Sequence, residues 1–170
     1  MSLNAVMGVL QAKLNGWQTP AMESANPPIA PIECFIAPPQ VVINAMEGPQ
    51  VFIWGGHADV HRTTAPRSSG HTGGFKRAPW KVDTFVFFID SPTADATDFQ
   101  TILDGLRWAI EDIGYPQTIT DLNSQPQVTQ LIMIGENITM SQHDPEPTED
   151  QSQLLYTAHL IVEMTEDYQA

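Results

Sequence analysis

From Lys81 to Ile89 both alternating sets of residues are substantially apolar: Val82, Val86 and Phe88 dominate one, beside Thr84, and Phe85, Phe87 and Ile89 the other, after Lys81 and Asp83. Successive side chains of a strand point to opposite faces, so this run predicts a strand covered on both sides, at the centre of a sheet. Soon after it, Phe99, Ile102, Leu103, Leu106, Ala109, Ile110 and Ile113 keep helical spacing. Asp95, Thr97 and Asp98 suit the start of that helix, and Gly114 with Pro116 stops it. Leu3, Val6, Met7, Leu10 and Leu14 predict another helix over residues 3–15, capped by Ser2 and ended by Asn15-Gly16.

The remaining strands are shorter or more one-sided. Val41-Val42-Ile43 and Val51–Trp54 flank the turn-like Met46–Pro49 and read as a hairpin. Gln130 to Ile134, continuing towards Met140, reads as a strand. In Gln153–Thr165 one alternate set is apolar (Leu154, Tyr156, Ala158, Leu160, Val162, Met164), while the other includes Thr157, His159 and Glu163. One face of that strand is expected to be buried and the other wet or covered by a neighbour.

This order predicts one α+β domain spanning residues 1–170. Its core would be a mostly antiparallel four- to five-stranded sheet with two helices packed on one side. Three segments interrupt the regular pattern. Residues 18–39 carry six prolines and are expected to run extended over the surface or, equally, to form an arm that orders on a partner. Residues 55–79, rich in Gly, Ser, Thr and His, predict a long loop between the second and third strands. Residues 141–152 form an acidic connection.

Charge is unevenly placed. Twenty acidic against seven basic residues give a net charge of -13, which opposes broad binding to a polyanion. Five of the seven cations, Arg62, Arg67, Lys76, Arg77 and Lys81, fall in one short stretch. From Trp108 onwards there are eleven acids and no Lys or Arg. A subunit basic in one place and acidic in another suits head-to-tail packing, in which one subunit's cations meet the next subunit's acidic surface. These five cations are therefore candidate interface residues, and Thr157, His159 and Glu163 on the last strand are a second candidate interface.

Catalytic patterns fare less well. His57, Asp59 and His61 alternate and would share one face of an extended backbone, an arrangement able to hold a divalent metal. A polar loop that happens to contain histidines explains them as well. Gly70–Arg77 departs from a phosphate-binding loop, because Phe75 and Arg77 stand where a glycine and a hydroxyl are needed. No Gly-x-Ser-x-Gly elbow occurs, and Cys34, the single cysteine, reads as a small buried residue. Glu111-Asp112 and Glu149-Asp150 are consecutive, so their carboxylates diverge. The expectation is a non-enzymatic chain without catalytic residues, metal or cofactor. The start lacks the pattern of a signal peptide, and no apolar run is long enough to span a bilayer.

The element order, the long loop, the central run Val82 to Ile89, the helix Phe99 to Ile113 and the closing strand Leu154 to Thr165 together resemble the tail-terminator proteins of long-tailed, siphovirus-like bacteriophages. The resemblance implies a small α+β structural subunit in a ring, typically a homohexamer. Such a ring caps the tail tube, stops its growth and faces the head-tail connector, with DNA passing through the lumen. Residues 18–39 and 141–152 depart from that pattern. Related neck and tail-completion proteins share the fold and are the nearest alternative, and a metal-dependent enzyme built on His57, Asp59 and His61 is the alternative of a different class.

Overall fold

The computed structural model describes residues 3–40, 48–58, 77–90, 97–112, 117–120, 126–131, 135–149 and 151–167. Among these residues three helices, α1 (Leu3–Leu14), α2 (Pro20–Ser24) and α3 (Thr97–Glu111), accompany eight strands. These are β1 (Glu33–Phe35), β2 (Gln50–Ala58), β3 (Arg77–Asp90), β4 (Gln117–Thr120), β5 (Pro126–Leu131), β6 (Gly135–Gln142), β7 (Glu146–Pro147) and β8 (Leu154–Asp167). A six-stranded sheet runs β1-β2-β3-β8-β6, with β7 also on β8, and β4 and β5 form a separate pair. Among the described residues only β1 and β2 pair in parallel, so the α+β class and the antiparallel character stand, while the sheet is larger than the sequence predicts and a third helix is added.

The central position of the Lys81–Ile89 run follows from its register. β3 pairs along its whole length with β8, from Arg77 opposite Asp167 to Asp90 opposite Leu154, and with β2 on its other side. Val82, Val86 and Phe88 share one face with Tyr156, Ala158, Leu160 and Val162, and all seven are buried in one apolar cluster with α1 and α3. Leu10 and Leu14 of α1 and Leu103 and Leu106 of α3 are fully enclosed there, each burial worth about 1.5–3 kcal/mol. The helices are tied further by Lys13, whose Nζ lies 3.0 Å from Asp112 Oδ2, and by Trp17, whose ring centroid lies 5.6 Å from that of Trp108. Glu111 meanwhile bonds Arg107 at 2.9 Å, so the adjacent acids do diverge.

Residues 18–39 are not the surface arm that their prolines suggest. Proline is tolerated at the first turn of a helix, and Pro20 opens α2 behind Thr19, whose hydroxyl accepts from the Met22 N–H at 3.2 Å. Met22, Ile29, Ile32 and Cys34 are buried. The Ile32 N–H donates to the Trp17 carbonyl at 2.9 Å, which folds the segment back on the end of α1.

The predicted 55–79 loop loses both ends to strands. Gly55 and Gly56 adopt positive φ, and the register shifts between Ile53 and Gly56, so a β-bulge carries pairing through to Ala58 opposite Trp80. Gly55-Gly56, the start of the predicted loop, is a kink within β2. Residues 59–76 lie outside the described residues, as do 41–47, on which the predicted first strand of the hairpin falls; among the described residues β2 pairs with β1 and β3. The acidic connection 141–152 is shortened by β6 at one end and contains β7. No helix among the described residues is long and apolar enough to cross a membrane.

Candidate assembly surface

The helices cover one face of the sheet. On the opposite face β3 presents Lys81, Asp83, Phe85, Phe87 and Ile89, all half-buried, where the apolar pattern predicts full cover. Their neighbours on β8 are Glu163, Ile161, His159, Thr157 and Leu155, in that register and equally half-buried. β2 and β1 add Phe52, Trp54 and Phe35, of which Trp54 is 48% and Phe35 39% exposed.

Ring contacts join three strands of this face, β1, β2 and β3, and a second stacked pair joins β3 to β8. Phe35 stacks on Phe52 with centroids 5.3 Å apart, and Phe52 meets Phe87 edge-on at 5.8 Å. Beside them the His159 imidazole stacks on Phe85 at 4.6 Å, and its Nε2 lies 2.8 Å from Asp83 Oδ1. Sandwiched between its two neighbours, Phe52 is buried although it stands on the open face.

The two candidate interfaces of the sequence therefore merge in part. Lys81 and Glu163 lie opposite each other on β3 and β8, with Nζ 3.3 Å from Oε1. Thr157 and His159 stand on the same face, opposite Phe87 and Phe85. Arg77 opens β3 opposite Asp167 in the register with β8. Arg62, Arg67 and Lys76 lie outside the described residues.

Cys34 is buried, and desolvation pushes its thiol up to about 12, which keeps it protonated and poorly nucleophilic. His57 lies on β2 opposite Lys81, whereas Asp59 and His61 fall outside the described residues. Among the described residues no group of three His, Cys, Asp or Glu side chains is placed to hold a metal ion.

The aromatic path was only half legible. The Phe85, Phe87 and Ile89 set signalled a second apolar face, but adding Phe35 and Phe52 to it required the pairing of β1 with β2 and of β2 with β3. The Asp83–His159 contact carried no sequence signal, since it spans 76 positions. No protein-family model and no curated protein matches this chain.

Proposed function

We propose that this chain is a tail-terminator subunit of a long-tailed bacteriophage: a structural virion protein, not an enzyme, whose ring of identical subunits, a homohexamer, caps the tail tube and joins it to the head. The observation that carries this reading is the half-exposed aromatic face on β3 and β8, the central strands of the sheet. Apolar surface left at the centre of a sheet is a surface for another protein to cover, because association removes it from water. The concentration of cations in an otherwise acidic chain supports the same reading, since it favours head-to-tail contacts between like subunits over face-to-face ones.

The partners of such a subunit are further copies of itself, the tail tube protein on one side and the head-tail connector or stopper protein on the other. DNA crossing the lumen would meet it without sequence preference, and neither a membrane nor a cofactor is required. Its place is the neck region of the virion tail, after synthesis in the host cytoplasm.

The decisive experiment adds the purified chain to polymerising tail tube protein and follows tube length by electron microscopy. Substoichiometric chain should shorten the tubes and appear as a cap at one end. Tubes that grow unchanged, with the chain bound to the connector instead, would replace the terminator by another neck or tail-completion subunit.

A further inference from the structure

The two edges of the six-stranded sheet differ in what they leave for another chain. β1 is three residues long, with Pro31 before it and Pro38-Pro39 after it. The outward backbone groups of Cys34 are already used: its N–H donates to Asn15 Oδ1 at 3.1 Å, and its carbonyl accepts from Gln11 Nε2 at 3.0 Å. Gln11 of α1 and Asn15, the residue that follows the helix, thus close that edge.

β6 forms the other edge and has none of these protections beyond its start. A register shift between Gly135 and Ile138 kinks the strand early, but Ile138 to Gln142 then contains neither charge nor proline. Thr139, Met140, Ser141 and Gln142 are all exposed. The His143 N–H donates to the Thr157 carbonyl at 3.1 Å, so the alternation of an antiparallel ladder aims the backbone of Ser141 and Thr139 at β8 and that of Met140 and Gln142 outward. Among the described residues no strand or backbone group pairs with that outward side, although the Gln142 side chain accepts from Gln100 Nε2 of α3 at 3.1 Å. Sheet edges are ordinarily blunted by lysine, proline or a covering element, because unpaired N–H and C=O groups are a template for another strand.

We propose that the outer edge of β6, from Ile138 to Gln142, is a strand-docking site for a second copy of this chain. The part of that copy is selected by charge and by exclusion. Its β1 is closed by Gln11 and Asn15. Its β6, laid antiparallel about Met140, would set Glu136 against Asp144 and repel. Acids flank the uncharged run on both sides, Glu136 before it and Asp144 and Glu146 after it, so the complement is an extended segment carrying cations. By charge, the sequence offers for that role the stretch holding Arg62, Arg67 and Lys76. The contact is heterologous, the type that closes into rings, and in naming a second copy as the occupant it rests on the assembly reading above.

Sedimentation velocity of the full chain over a range of concentration and salt tests the site. Met140→Pro removes an outward N–H without touching the bonds to β8 and should weaken self-association roughly tenfold, whereas Met140→Thr keeps the N–H and should not. Should Met140→Pro lower the thermal midpoint, the charge variants decide. Glu136→Lys with Asp144→Lys, and Arg62→Glu with Arg67→Glu, should each weaken association, and the four changes together should restore it. Oligomers unaffected by every variant overturn the edge contact and leave the ring standing. A wild-type chain that stays monomeric at high concentration in low salt overturns the second copy as occupant, while the tube-capping experiment judges the terminator reading separately.

Discussion

The imidazole of His159 lies flat on the ring of Phe85, 4.6 Å between centroids and 5° from parallel, while its Nε2 is 2.8 Å from Asp83 Oδ1. Phe85 and His159 are direct cross-strand partners, and Asp83 is the next residue of β3 on the same face. Register alone therefore brings the three together. Directly opposed cross-strand pairs of this kind contribute on the order of 0.5–1 kcal/mol beyond area burial. A double-mutant cycle with Phe85→Ala and His159→Ala, read by urea unfolding, should return a coupling of that size; additive effects would show the stack to be geometric only.

Thr84 stands on the helix-covered face of β3, buried, with no hydrogen-bond partner for its hydroxyl among the described residues. An unsatisfied buried hydroxyl costs about 1–3 kcal/mol, and valine has nearly the same shape. Thr84→Val should raise the unfolding midpoint by an amount equivalent to about 1 kcal/mol. A fall would mean that the hydroxyl is bonded in solution.

Two helical glycines should respond in opposite directions to alanine. A Cβ on Gly8 would meet nothing within 4 Å, so Gly8→Ala should stabilise α1 by up to about 1 kcal/mol through helix propensity. On Gly105 it would stand 2.9 Å from Thr19 Cγ2, on the residue that caps α2. Gly105→Ala gains the same propensity but must push Thr19 aside, at a cost of about 1–3 kcal/mol, so a net loss is expected in thermal unfolding.

Cys34 gives a pH dependence with a defined sign. Its folded-state thiol lies near 12 against 9.0 for the exposed group, so the folded chain holds a proton that the unfolded chain releases. This contribution to stability is complete below about pH 9 and is lost as pH rises towards 12, with a slope of at most ~1.4 kcal/mol per pH unit. Cys34→Ala should flatten the alkaline limb of the stability profile by that slope. Alkylation of the wild-type thiol by iodoacetamide should track global unfolding.

Phe35 and Trp54 separate folding from assembly. Both project from the uncovered face, so Phe35→Ser with Trp54→Ser should cost less stability than a core truncation such as Leu106→Ala, which removes about 2–5 kcal/mol. The same pair should abolish self-association if that face is covered in the ring. Normal oligomers from the double variant would place the subunit contact elsewhere.

Local pattern in the sequence determined the elements with strong periodicity. The spacing from Phe99 to Ile110 defined α3, and the alternation from Leu154 to Val162 marked the buried face of β8, because a helix or strand that buries one side must repeat apolar residues at its own period. Pairing decided the rest. Six prolines in residues 18–39 suggested a surface arm, yet Thr19 and Pro20 begin a helix and Ile29, Ile32 and Cys34 enter the core, since proline forbids a helix interior but not its first turn. Gly55-Gly56 read as a loop and proved a bulge, because a partner strand supplies hydrogen bonds that local propensity cannot anticipate. The apolar residues on both faces of β3 were visible from sequence, but that one face is sealed by helices while the other is left half-open was decided by tertiary structure, because cover depends on which distant segments reach that face.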